Sequence, residues 1–241
     1  MAAAGSGERL GAGGPKAFVP LAGRPMIEWS LVAFRACGSV DSIVVAAPPG
    51  RVDDLVGGDL QAPDLTVVAG GATRTRSVAN ALTVVETDLV AIHDAARPLL
   101  TSDLVNDLVA SLAADPDAAG AIAATPVVDT IKQVKGLPED TKDAFAVHGT
   151  VKASLVVEQT LDRSRLWAAQ TPQVFRTETL RSALDAGPEA WEGTTDEAML
   201  VEALGGKVLI HPTPGPNLKV TTPLDLRVAE LLLAEQNEAD S

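Results

Sequence analysis

Short β-branched runs alternate with stretches of helical period along most of the chain. Ser42–Pro48 (SIVVAAP), Leu65–Ala69 (LTVVA), Asp88–His93 (DLVAIH), Ala119–Thr125 (AGAIAAT) and Lys207–His211 (KVLIH) read as strands. Helical patterns occupy Pro25–Cys37, Thr73–Val85, Ser102–Ala114, Glu178–Ala186, Asp196–Leu204 and Pro223–Glu235. The first of these starts with Pro and stops before Gly38. Ser102 and Thr195 are the expected N-caps of two others, each with acid in the first turn. Alternation of this kind predicts an α/β fold: a Rossmann-like, mainly parallel sheet with helices on both faces. Ligands of such sheets bind outside the carboxyl ends of the strands.

Two regions depart from the alternation. Gly5, Gly7, Gly11, Gly13 and Gly14 crowd a loop near the start, with no strand ahead of it. Either the loop is anchored otherwise, or the chain begins inside its first strand. The second region, Val127–Trp167, has few helix signals. Its β-like pieces, DTIKQV and KASLVVEQT, are separated by the polar stretch Gly136–Asp143, which predicts a long hairpin or arm. Without a repeat or low-complexity linker, residues 1–241 read as one domain carrying an arm at about 127–167. The polar tail Glu235–Ser241 is expected to fray.

Composition narrows the function classes. Hydrophobic residues make up 46% of the 241, ample for a core, and the formal net charge is −13. Aromatics are 3% and Tyr is absent, which disfavours a single-strand nucleic-acid binder. The negative charge argues against phosphate-backbone binding as well, though not against a small anion in a local basic pocket. A lone cysteine, Cys37, rules out an internal disulfide and a Cys-based zinc site. His93, His148 and His211 are far apart and give no HxxxH spacing. No apolar run approaches ~18 residues. The opening Met-Ala-Ala-Ala-Gly-Ser has no basic or apolar leader pattern, so a cytoplasmic protein with no membrane partner is expected.

Candidate chemistry gathers where strands meet helices. Ala3-Ala4-Gly5-Ser6-Gly7-Glu8-Arg9, followed by Pro15-Lys16, combines small residues with two cations. Backbone N–H groups converge on an anion where no Cβ interferes, and Arg9 and Lys16 add charge to the same loop. The spacing matches neither GxxxxGK[ST] nor GxGxxG, which disfavours a dinucleotide-dependent oxidoreductase. A solvated glycine-rich turn is the plainer alternative. His93-Asp94-Ala95-Ala96-Arg97-Pro98 ends a buried strand, where Asp94 and Arg97 either face a ligand or pair structurally. Gly70-Gly71-Ala72-Thr73-Arg74 with Ser77 is either a second ligand loop or an ordinary strand–helix turn. Asn217–Pro223 reads as a short strand entering a helix, with Lys219 set among apolar neighbours. Thr195-Asp196-Glu197 reads first as a cap. Thr171-Pro172-Gln173 follows the strand-like LWAAQ.

Taken in order, AAGSGERL, PKAF, HDAARP, TLDRSRLW, QTPQVF, TDEA and LKVTTPLDL resemble the motifs of the 2-C-methyl-D-erythritol 4-phosphate cytidylyltransferases, from residue 3 to about residue 233. The first loop alone indicates only the wider nucleotidyltransferase superfamily. HDAARP with TPQ, TDEA and the Lys219 segment narrows it to this family. The resemblance implies transfer of a cytidylyl group from CTP to methylerythritol phosphate, with pyrophosphate released and Mg2+ bound mainly through the CTP phosphates. It implies catalytic roles for Arg9, Lys16, Arg163 and Lys219. Nucleotide contacts are implied for Ala3, Ala4, Gly5, Gly7, Gly71, Ser77, Asp94 and Ala95. Arg97, Thr130, Thr171, Thr195 and Lys219 would meet the second substrate. The arm would carry Thr130 and Arg163 into a neighbouring subunit's site in a homodimer, with Arg165 a competitor for the role of Arg163. A ribitol 5-phosphate cytidylyltransferase and a non-catalytic CTP-binding homologue are the alternatives. Three departures stand out: the hydrophobic first strand ahead of Ala3 is almost wholly missing, the arm is long, and Ala72 replaces a polar residue. The first predicts a native product that starts upstream, or a poorly stable form.

Overall fold

The computed structural model describes residues 1–11, 14–56, 62–135 and 156–239. Gly13, Gly136–Asp143, His148 and the first part of KASLVVEQT lie outside the described residues. After single 3-10 turns at Glu8–Leu10 and Lys16–Phe18, a small hairpin, β1 (Pro20–Leu21) and β2 (Arg24–Pro25), leads into α1 (Met26–Arg35). Then come β3 (Ile43–Ala47), α2 (Val52–Val56), β4 (Leu65–Ala69), α3 (Arg74–Leu82), β5 (Leu89–Ile92), α4 (Ser102–Ala114) and β6 (Ala118–Pro126). The arm contributes β7 (Lys132–Lys135) and β8 (Val156–Thr160), paired antiparallel. The chain finishes with β9 (Trp167–Arg176), α5 (Thr177–Asp185), α6 (Glu197–Ala203), β10 (Lys207–Pro212) and α7 (Pro223–Ala239).

Across the sheet the order is β10–β6–β9–β5, then Met1–Ala3, then β3–β4. Ala2 bridges in parallel to both Ala46 and Asp94. Its N–H donates to the His93 carbonyl at 2.8 Å, and its own carbonyl accepts from Ala95 N–H at 3.1 Å. On the other side Ala3 N–H donates to Ala46 O at 3.0 Å, and Ala46 N–H to Met1 O at 3.0 Å. The glycine loop therefore hangs from a strand position at the centre of the sheet. Only β9 runs antiparallel to its neighbours β5 and β6, so the sheet is mainly parallel, as the alternation predicts.

Strand alternation sends successive side chains to opposite faces. On one face Val45, Ala121, Ala123 and Val174 pack against Ile27, Leu31 and Phe34 of α1 and Leu104, Leu108 and Leu112 of α4. On the other, Ile92, Ile122 and Phe175 meet Val78 and Leu82 of α3, Leu180 of α5, and Leu200 and Val201 of α6. A third cluster joins Leu10, Val19, Leu21 and Met26 to Val220, Ala229 and Leu233. It ties the start of the chain to α7 and so brings Lys16 and Lys219 to one place.

Beneath Met1 a cavity of about 490 Å³ separates β3 from β5, walled by Ile43, Val44, Leu89, Ala91, Val105 and Val109. Two caps fall one residue from their expected positions. Thr101, not Ser102, accepts from Leu104 N–H at 3.3 Å, and Asp196, not Thr195, accepts from Met199 N–H at 3.1 Å. In both cases the neighbouring side chain has the oxygen at the reach of N3, which the cap geometry selects. Asn217–Thr222 forms no regular strand; Val220 N–H donates to Ala96 O at 2.8 Å and holds the segment against the loop after β5. Among the described residues, no helix is long and apolar enough to cross a membrane.

Candidate active site

A cleft of about 350 Å³ opens outside the carboxyl ends of β4, β5 and the Met1–Ala3 segment. Its walls come from Ala2–Ser6, Lys16 and Ala17, Gly71–Arg74 with Ser77, Asp94–Ala96, and Lys219. Ala3, Ala4, Gly5, Gly71, Ser77, Asp94, Ala95, Lys16 and Lys219, all candidates from the sequence, are thus brought to one concavity. Close backbone approach explains its glycines. Gly7 has φ 75°, and a Cβ there would lie 3.0 Å from Gly14 O and Lys16 N. A Cβ on Gly70 would sit 2.4 Å from the Ala4 Cβ, so the turn after β4 abuts the first loop only without a side chain. Ser77 Oγ accepts from Gly71 N–H at 3.0 Å and donates to Thr73 O at 2.9 Å, which fixes that turn. Thr73 caps α3, accepting from Arg76 N–H at 3.1 Å.

Charge in the cleft is arranged as a chain. Asp94 accepts from Arg74 Nε at 2.7 Å through Oδ1, and its Oδ2 is 2.6 Å from Lys219 Nζ. Arg74 Nη1 lies 2.5 Å from Oε2 of Glu197, which is fully buried. Burial alone would push the Asp94 carboxyl up, but Arg74 and Lys219 outweigh it and hold the group well below the usual carboxylate range. Lys16 goes the other way: desolvation, then repulsion from Lys219 and Arg9, lowers it to about 8. A cation made less stable by its surroundings is one prepared to receive negative charge.

Arg9 is exposed on the same loop and close enough to repel Lys16, without lining the cleft. Arg97 and Thr171 stand behind it. Arg97 Nη1 donates to Asn217 O at 2.6 Å, and Thr171 Oγ1 accepts from Asp94 N–H at 3.0 Å while meeting His93 Nδ1 at 3.2 Å. Both therefore support Asp94 and the Lys219 segment in this arrangement. Burial lowers His93 to about 3, so the ring is neutral and serves as packing and hydrogen-bonding support. Thr195 is exposed at the entrance to α6. Thr130 and Arg163 lie in the exposed arm, where Arg163 Nη1 donates to the Val128 carbonyl. The structure of one chain does not bring them to its own cleft.

Arg74, Glu197 and Asn217 stand within the sequence motifs, but from sequence Glu197 reads only as an acid of the first turn of its helix, and Arg74 and Asn217 carry no role of their own. Asn217 Nδ2 donates to Thr171 O at 2.9 Å and to Gln170 Oε1 at 3.1 Å, anchoring the segment that carries Lys219. The partners of Arg74 are 20 and 123 positions away, a separation at which no local spacing gives a signal.

Residues 1–235 match the family model for 2-C-methyl-D-erythritol 4-phosphate cytidylyltransferase. A curated relative of that name from Symbiobacterium thermophilum is 42% identical over 238 residues, covering 97% of this chain and 91% of its own. Another from Frankia casuarinae is 43% identical over 243 residues, covering 99% and 81%. The crystal structure of the Thermus thermophilus enzyme of that name aligns with TM-score 0.70 at 32% identity, over 92% of this chain and 95% of its own. That of Francisella tularensis aligns with TM-score 0.73 at 29% identity, over 90% and 92%. With a fold, a cleft and relatives in agreement over nearly its whole length, the chain belongs to the 2-C-methyl-D-erythritol 4-phosphate cytidylyltransferase family.

Proposed function

We propose that the protein transfers the cytidylyl group of CTP to the phosphate of 2-C-methyl-D-erythritol 4-phosphate. A phosphate oxygen of the acceptor attacks the α-phosphorus, the bond from that phosphorus to the β-phosphate bridge breaks, and pyrophosphate leaves with the electron pair. The attacking monoester is already anionic near neutrality, so no general base is required. What the reaction needs is in-line placement of two mutually repelling esters, and cations to neutralise them. The observation that carries this reading is the meeting of Lys16 and Lys219, from opposite ends of the chain, across a cleft walled by small residues.

In this reading Lys16 and Arg9 steady the α-phosphate as negative charge builds on it, and the amides of Gly5 and Gly7 cradle the nucleotide. Ala3, Ala4, Gly71 and Ser77 enclose the cytosine, and Ala95 completes the wall. Lys219 leaves Asp94 to hold the acceptor phosphate, Thr195 borders the acceptor side, and Arg97 and Thr171, buried behind the cleft, act on that side through Asp94 and the Lys219 segment rather than by direct contact. The family's chemistry calls for a divalent cation. Among the described residues no cluster of three or more His, Cys, Asp or Glu is placed to hold one, and Asp94 is the one carboxylate among the lining residues. That donor set fits Mg2+ carried in mainly by triphosphate oxygens, with Asp94 the available protein ligand. The cation would supply charge neutralisation along the triphosphate.

The arm gives the reading its quaternary part. We infer a homodimer in which Thr130 and Arg163 of each arm enter the partner's cleft, in the cytoplasm. The exposed Val128, Val156 and Val157 on and beside β7 and β8 are suited to cover by a second subunit. The decisive assay offers CTP with methylerythritol phosphate or ribitol 5-phosphate and identifies the product by mass. Turnover with the first acceptor is expected. Turnover with ribitol phosphate alone would replace this assignment, and CTP binding without pyrophosphate release would make the protein a non-catalytic homologue.

A further inference from the structure

Glu197 opens α6, fully buried, on the far side of Arg74 from the cleft. Its Oε2 meets Arg74 Nη1 at 2.5 Å, and its Oε1 is buried without a hydrogen-bond partner among the described residues. Arg74 in turn donates through Nε to Asp94 Oδ1 at 2.7 Å, which leaves Asp94 Oδ2 turned to Lys219 at 2.6 Å. Four side chains from α6, α3, the end of β5 and the segment before α7 thus alternate in charge. A buried ion pair is poor value for stability, since desolvating both charges consumes most of the attraction. Its better-attested use is to fix geometry.

We propose that Glu197 is a positioning residue: it clamps Arg74 against Asp94, so that Asp94 presents one oxygen, in one orientation, to Lys219. The inference rests on the transferase reading above. Removing Lys219 to a substrate phosphate leaves Asp94 paired with Arg74 and keeps Arg74 from following the anion into the cleft. Without Glu197, Arg74 has a single carboxylate partner and a vacant direction to turn in. Asp94 then loses its fixed orientation, and Lys219 its parking place. Burial raises the Glu197 carboxyl above its ordinary value and Arg74 opposes that shift, so the charge depends chiefly on this partner.

Two single variants, their combination and three readouts test the clamp. Glu197→Gln keeps the shape and removes the charge; Arg74→Lys keeps the charge and removes the fork. With Mg2+, CTP and methylerythritol phosphate, each is expected to lower kcat about tenfold to a hundredfold, the scale of a small misplacement of reacting groups. CTP affinity by calorimetry should stay within about threefold in both. The double variant should be no worse than the poorer single one, because members of one network do not add. The third readout needs neither turnover nor ligand: the Arg74 Nε–H resonance in 15N-labelled protein should be protected from exchange in the wild type and lose that protection in Glu197→Gln. Protection unchanged in Glu197→Gln overturns the proposal, as does kcat unchanged, or losses that multiply in the double variant. If the wild type itself releases no pyrophosphate, the transferase reading fails, and the resonance still decides whether the clamp exists.

Discussion

Lys16 sits half-buried on a 3-10 turn, with Lys219 and Arg9 as repelling neighbours and Asp94 and Asp225 as weaker attracting ones. Its pKa of about 8 in the free protein has a kinetic consequence. The protonated form is the one that stabilises an anion, and a folded-state pKa lowered below the ordinary lysine value means that this form is lost as pH rises through about 8. kcat/KM for CTP, which reports the free enzyme, should fall on that limb. The limb of kcat should lie higher, because bound triphosphate favours the charge. Lys16→Arg should erase the limb below pH 10, since a guanidinium does not titrate there. A flat profile through pH 9 in the wild type would show that Lys16 does not act as a cation in the rate-determining complex.

At the scale of elements, one close contact makes a firm prediction. Gly120 on β6 faces Phe175 on β9, and a Cβ there would come within 2.5 Å of the ring. Phe175 is fully buried against α3, α5 and α6 and has nowhere to go. Gly120→Ala should cost about 1–3 kcal/mol, read as a lower urea midpoint with unchanged slope.

These elements also show what the sequence disclosed. The helix over Ser102–Ala114 and the strand over Leu65–Ala69 are legible in extent, the one from its helical period and the other as a short β-branched run, although the cap of the helix is Thr101 and not Ser102. β9 is legible only in part: its outer half, Trp167–Ala169, is exposed, and its inner half carries buried Thr171 and Gln173 around Pro172, so neither alternation nor an apolar run marks it. Lys219 reads as a site residue from its apolar flanks, although no strand holds it. Arg74 and Glu197 stay silent because their meaning lies in the meeting of α3 with α6, which only the packed sheet creates.

For the molecule as a whole, the third hydrophobic cluster joins the first loop to α7, and the charge chain joins α6 to the Lys219 segment. Both chain ends converge on one cleft, while the arm points its candidates elsewhere. The homodimer proposed above makes its sites composite, and that can be tested by complementation. Lys16→Ala and Arg163→Ala chains, each nearly inactive, should regain activity when unfolded together and refolded, since a hybrid dimer then holds one intact site. No regain, with dimers confirmed by sedimentation, would place Arg163 outside the site.

The most direct measurement is pyrophosphate release from CTP and methylerythritol phosphate by the wild type, Lys16→Ala and Lys219→Ala, with circular dichroism confirming the fold of each. Loss of one cation at the developing charge should lower kcat/KM by about 10²–10³-fold in either variant. Activity within a few-fold of wild type in either one would contradict the claim that these two lysines bring the repelling esters together.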